Sequence, residues 1–198
     1  MWYKVKKIYK WQNWTEYQVY PWPRTYYYDF TTWSVADFTS KWWTVPSSCS
    51  ISSSWLTGNS TGWITTEATN VPWLNDALQS AKSIHMEVSW TRTGSWYSRW
   101  WLYIVDGITF YSDWAYHDMV QVWPTTLLDT TPVLSAWTYL NKLDVDLLTK
   151  TAAWNYWWAK IGSGTFSDSD IAQLKNSTNL LIPVTSNSYI RSISITIK

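Results

Sequence analysis

Two carboxylates stand two positions apart in the run "NKLDVDLL", Asp144 and Asp146, and an extended chain places both on one face. Retaining glycoside hydrolysis needs a carboxylate pair about 5–5.5 Å apart, and alternate positions of a strand are one way to supply it. Here Leu143, Val145 and Leu147 alternate cleanly with Lys142, Asp144 and Asp146, which is the pattern of an outward, solvated face. His85 and His117 are the only histidines, and His85 falls on the polar side of "SIHMEV", again a solvated position. Asp168 and Asp170 lie where a helix is expected to start and are read as charges favouring its dipole, not as calcium ligands. Cys49 is alone, so neither an internal disulfide nor a cysteine zinc site can form. No glycine-rich phosphate loop or metalloprotease helix motif occurs. The expectation is therefore no catalytic residue, no metal and no cofactor. What remains is "TGSWYSRW": Trp96, Tyr97 and Arg99 combine aromatic faces with a guanidinium, a chemistry suited to sugar rings and their acidic groups. The same three residues would equally serve packing at a strand end.

Composition narrows the partners. Fifteen basic and 14 acidic residues give a net charge of +1, which argues against a nucleic-acid surface. No run of about 20 apolar residues is present to span a membrane as a helix. The start, "MWYKVKKIYKWQNW", lacks the apolar stretch of a secretory leader. An outside location would then be reached by lysis, by assembly into a particle, or by another route. "NWT" and two "NST" triplets match the glycosylation acceptor pattern, which a Ser/Thr-rich chain produces by chance.

The elements that must position these residues are mostly strands. "SYIRSISITIK" sets Ile193, Ile195 and Ile197 against Ser194, Thr196 and Lys198; "KSIHMEVSW" sets Ile84, Met86 and Val88 against His85, Glu87 and Ser89. "GITFYS" and "HDMVQVW" are shorter candidates, "TYYYDF" is an early strand, and the nearly all-apolar "RWWLYIV" suits the middle of a sheet. One helix is expected near 167–176, with Ser167 as N-cap and Ile171 and Leu174 on one face. A second helical turn fits "SVADFTSK". "KVKKIYK" and "TEYQVY" pair as an N-terminal β-hairpin, and Pro21 and Pro23 mark a boundary. The organisation read from this is a hairpin and linker over 1–24 and an all-β sandwich over 25–198.

Tryptophan disturbs this pattern. There are 20 Trp and 6 Gly, where average usage would give roughly 14 glycines. Trp14 follows Asn13 in the expected hairpin turn, where Asn-Gly belongs. Trp114 follows Asp113 in the same way. A genetic code that reads UGA as glycine explains surplus, deficit and turn placement together. Trp14, Trp33, Trp42, Trp55, Trp73, Trp100, Trp114, Trp123, Trp137 and Trp158 are the expected glycine positions; Trp63, Trp90 and Trp101 suit a core.

"YYYDF", then "YLNKLDVDLLTKTAAW", then "IGSGTFSDSDIAQLKNSTNLLIPVTSNSYIRSISITIK" occur in an order that resembles the second half of concanavalin A-like, laminin G-like jelly rolls. The chain also resembles small virion or tail-fibre proteins of phages whose hosts recode UGA. The likeness runs loosely over 25–198 and best over 139–198. It implies a jelly-roll β-sandwich and a non-catalytic module recognising cell-surface carbohydrate or another envelope component on a virion or extracellular surface. The hairpin would meet other virion proteins, and a homo-oligomer is compatible with the pattern. A purely structural particle protein and a glycan-cleaving enzyme are the alternatives. The calcium ligands and catalytic carboxylates of the lectin and glucanase branches have no counterpart here.

Overall fold

The computed structural model describes residues 7–8, 17–18, 23–32, 34–40, 43–52, 55–58, 64–92, 99–113, 118–130, 138–156, 159–185 and 188–198. The chain begins with β1 (Lys7–Ile8), β2 (Tyr17–Gln18) and β3 (Arg24–Asp29), then α1 (Val35–Thr39), β4 (Trp43–Thr44), β5 (Cys49–Ser52), β6 (Trp55–Gly58) and β7 (Ile64–Ala68). Helix α2 (Leu74–Ser80) leads to β8 (Ser83–Arg92), β9 (Arg99–Ile104), β10 (Ile108–Asp113), β11 (Asp118–Val122) and β12 (Thr125–Thr130). Next come β13 (Thr138–Asp146), β14 (Thr151–Tyr156) and β15 (Ala159–Thr165), then α3 (Asp168–Leu174), β16 (Leu180–Val184) and β17 (Ser188–Ile197).

β1 and β2 form their own antiparallel ribbon, with Lys7 opposite Gln18 and Ile8 opposite Tyr17. This is the expected N-terminal hairpin; its turn, including Trp14, lies outside the described residues. The other strands make two sheets. One runs β12-β11-β10-β9-β16-β7-β4; the other runs β15-β14-β13-β8-β17-β6-β5, with β3 also paired to β17. Alternation decides what lies between them, because successive side chains leave a strand on opposite faces. Ile84, Met86 and Val88 of β8, Leu143 and Val145 of β13, and Ile193, Ile195 and Ile197 of β17 point inward from one sheet. Leu102, Ile104, Phe110, Val120, Val122 and Ile182 answer them from the other. Along one side the sheets nearly touch. A Cβ on Gly164 of β15 would lie 2.9 Å from the Leu127 carbonyl oxygen of β12, so only glycine fits there.

Helices cover the ends. In α3 the expected N-cap is present: Ser167 Oγ accepts from Asp170 N–H at 3.3 Å, and Asp170 Oδ2 accepts from Ser167 N–H at 2.8 Å. Ser34 and Asp37 repeat this box at α1, whose Phe38 is stacked on Trp43 at 4.7 Å and meets Phe30 edge-on at 5.1 Å. Helix α2 was not legible as a helix. It has no side-chain cap: Trp73 holds the N-cap position with φ 63° and ψ 2°. Leu74 and Leu78 bury against the core, and α3 anchors the helix, since Lys175 O accepts from Asn75 Nδ2 at 2.6 Å and from Gln79 Nε2 at 2.9 Å.

The tryptophans divide. Trp100, one of the expected glycine positions, is a core indole instead: the alternation of β9 turns it inward against Trp90 and Phe110. Trp90 is core as expected, whereas Trp101 is half-buried on the outer face, stacked on Tyr111 at 4.6 Å. Trp55 is half-buried in β6, and Trp73 and Trp123 are exposed. The other glycine candidates, and Trp63, lie outside the described residues.

Candidate functional site

The outer face of the eight-stranded sheet is polar across four neighbouring strands, and strand register sets its rows. Ser194, Glu87, Lys142 and Asn155 form one row across β17, β8, β13 and β14. Thr196, His85, Asp144 and Ala153 form the next, and Ser83, Asp146 and Thr151 a third. β3 extends two of them, placing Tyr27 beside Ser194 and Thr25 beside Thr196.

At the middle of this lattice the side chains are tied to one another. His85 Nδ1 lies 2.5 Å from Asp144 Oδ1, and His85 Nε2 lies 3.1 Å from Glu87 Oε1. Lys142 Nζ reaches the same Glu87 oxygen at 2.8 Å, and Asn155 Nδ2 donates to Asp144 Oδ2 at 3.1 Å. Partial burial works against the Glu87 carboxylate, but the bonds from Lys142 and His85 outweigh it and hold the carboxyl below its usual range. Asp146 is held low by the Thr149 N–H, aided by that of Leu148, against a small opposing desolvation. It therefore stays anionic beside a depression of 430 Å³ whose rim includes Ser83, His85, Asp144, Thr151, Ala153 and Lys198. Ala153 leaves room where its row neighbours carry longer side chains. The arrangement offers acceptors, donors and an imidazole around a hollow within the 300–1,000 Å³ range of small-molecule sites.

The aspartates and His85 thus point outward as expected, but they are not merely solvated: β8 and β13 bring them together. Glu87, Lys142 and Asn155 were not singled out in the sequence. The alternation of His85 with Glu87 could have flagged one of them; the pairing of β8 with β13 could not be read. Trp96 and Tyr97 lie outside the described residues. Arg99 opens β9 in register with Asp113, and its side chain is likewise outside them. Arg92, the last described residue before Trp96 and Tyr97 in the chain, ends β8 opposite Ser83; ten residues at about 3.3 Å each separate the two ends of the strand by about 30 Å. Among the described residues no group of three or more His, Cys, Asp or Glu is arranged to hold a metal ion, and no helix is long and apolar enough to cross a membrane.

No protein-family model and no curated protein sequence matches the chain. Solved structures do. A Bauhinia forficata lectin in complex with GalNAc is 12% identical, with a TM-score of 0.59 over 89% of this chain and 98% of the lectin. A sialidase is 10% identical with a TM-score of 0.55 over 87% of this chain, which spans only 18% of that protein. The carbohydrate esterase vb_24B_21 of the Shiga toxin-encoding bacteriophage phi24B is 10% identical, with a TM-score of 0.52 over 87% of this chain and 99% of the esterase. The two sheets and these likenesses define the fold: a concanavalin A-like jelly-roll β-sandwich of the lectin type.

Proposed function

We propose that this chain is a glycan-binding module whose ligand lies across the polar outer face of the eight-stranded sheet. The observation that carries the reading is the cross-linked row of His85, Glu87, Lys142, Asp144 and Asn155 beside the 430 Å³ hollow. Saccharide hydroxyls both donate and accept, and this row supplies both kinds of partner in fixed positions. The lectin bound to GalNAc and the phage carbohydrate esterase support a sugar as ligand by fold. A glycan array identifies the ligand; Asp144→Ala should then weaken its best hit by about tenfold, the worth of a hydrogen bond to a charged group. An unchanged affinity would move the site elsewhere, to the loop of Trp96, Tyr97 and Arg99 first.

The reading extends to a virion or tail-fibre setting, in which the module meets a host surface glycan. The ribbon β1–β2 is the natural contact to a neighbouring particle protein, since a two-stranded ribbon is marginal alone and gains from an added strand or covering surface. Deleting residues 1–22 should abolish incorporation into the particle while glycan binding persists. In that setting UGA is read as glycine, and the left-handed backbone of Trp73 is the structural feature that supports it.

A further inference from the structure

Both ring nitrogens of His85 face carboxylates, Nδ1 toward Asp144 at 2.5 Å and Nε2 toward Glu87 at 3.1 Å. A neutral imidazole has one N–H and one lone pair, whichever tautomer it adopts. One of the two contacts would then set a lone pair against an anionic oxygen. Only the imidazolium donates at both. The surrounding charges agree. Glu87 on the same strand and Asp144 on β13 are the two anions in contact, and Lys142 on β13 is paired with Glu87. Asp146 stands one row further along β13. From β17 the facing groups are Ser194 and Thr196, uncharged, with Lys198 just past the strand end. With His85 protonated, the tied group of His85, Lys142, Glu87 and Asp144 is neutral. Without the proton it carries an excess negative charge and one bond fewer.

We infer that His85 is a proton switch for this face: protonated, it bridges Asp144 of β13 and Glu87 of its own strand and fixes both carboxylates in the ligand-binding arrangement. Deprotonated, it keeps the shorter bond to Asp144 and releases Glu87 toward Lys142. The inference rests on the glycan-binding reading for its consequence, though not for its mechanism. A proton at neutral pH is exchanged most readily by histidine among side chains, so the switch would operate as a particle or its target passes between acidic and neutral surroundings.

Nitrogen-15 NMR of the imidazole on the full chain tests the mechanism without any ligand. Both nitrogens should carry protons at pH 5.5 and one at pH 8, and the Glu87 carboxyl carbon should shift over the same interval. A single proton at pH 5.5, or a Glu87 signal indifferent to the change, overturns the inference. Titrating the best array glycan at both pH values tests the consequence. Affinity should fall by about tenfold from pH 5.5 to pH 8, one charge-assisted hydrogen bond's worth, and His85→Gln should bind equally at both. If the wild type binds the glycan equally at both pH values while its imidazole titrates, the switch is overturned and the proposed function stands. If no glycan binds at either pH while imidazole and Glu87 titrate together, the proposed function is what falls.

Discussion

A tryptophan with positive φ is a rare thing, because its Cβ crowds the backbone in the left-handed region. Among the described residues four non-glycine positions have it: Asn70, Trp73, Asp106 and Lys150. Asn and Asp tolerate this conformation through local hydrogen bonds; a 57% exposed indole gains nothing from it. Arg24 lies 5.5 Å from the Trp73 ring centre, but at an exposed site such a contact adds little over 0.5–1 kcal/mol. Trp73→Gly should therefore stabilise the fold by up to about 2 kcal/mol, the strain of such a residue less the lost contact. Urea melts of the two proteins check this, and a destabilised variant would show that the indole belongs there. Trp73 was among the positions where the excess of tryptophan over glycine suggested a glycine; at Trp100 the same suspicion misled, because two adjacent indoles within a strand run give no sign of which one faces in. Burial there has a cost of its own. The indole N–H groups of Trp100 and Trp154 are buried with no hydrogen-bond partner among the described residues, where buried Trp ordinarily finds one.

Elements announced by period and caps came through, and elements held by their neighbours did not. β8, β13 and β17 were readable because strict alternation has one meaning when one face is buried. α3 was readable because Ser167 and Asp170 write its start into the sequence. α2 shows only Leu74 and Leu78 at helical spacing, and its other supports, from Asn75 and Gln79 to Lys175, span about a hundred residues. The α3 box makes a prediction of its own. Burial would raise the Asp170 carboxyl, but the Ser167 N–H, the Thr125 hydroxyl and the Ser167 hydroxyl outweigh it, so the group is held low. A carboxyl lowered on folding contributes stability above its unfolded value, near 3.9, and loses it as pH falls through the folded value. Asp170→Ala should cost about 1 kcal/mol at pH 7, as lost caps do. The gap between variant and wild type should begin to close as the pH drops below about 4, where the unfolded chain's carboxyl is protonated first, and should be gone once the pH is below the lowered folded value. A gap that persists at pH 2 would mean packing, not charge, is what Asp170 supplies.

At the scale of the molecule, the candidate site exists only because the sheet assembles it. His85 and Asp144 are 59 positions apart, and neither run carries a sign of the other. Pro21 and Pro23 suggested a boundary at residue 24, and β3 starts at Arg24. From there the chain is woven in: Arg24 to Asp29 pair along Ser192 to Ile197 of β17, and Tyr28 and Phe30 are buried with Phe38 and Trp43. Two deletions should then behave differently. Removing residues 1–22 takes away the separate ribbon and leaves every strand of both sheets; a single cooperative melt close to that of the full chain is expected. Removing residues 1–30 strips a strand from β17 and two large aromatics from the core. Loss of one such side chain costs about 3–5 kcal/mol, which is comparable with the 5–15 kcal/mol that a whole domain has. That shorter chain should melt far below the first or fail to fold. Circular dichroism melts of the three chains decide it. If the first deletion unfolds the sandwich as completely as the second, the ribbon is part of the domain and the boundary at residue 24 is wrong.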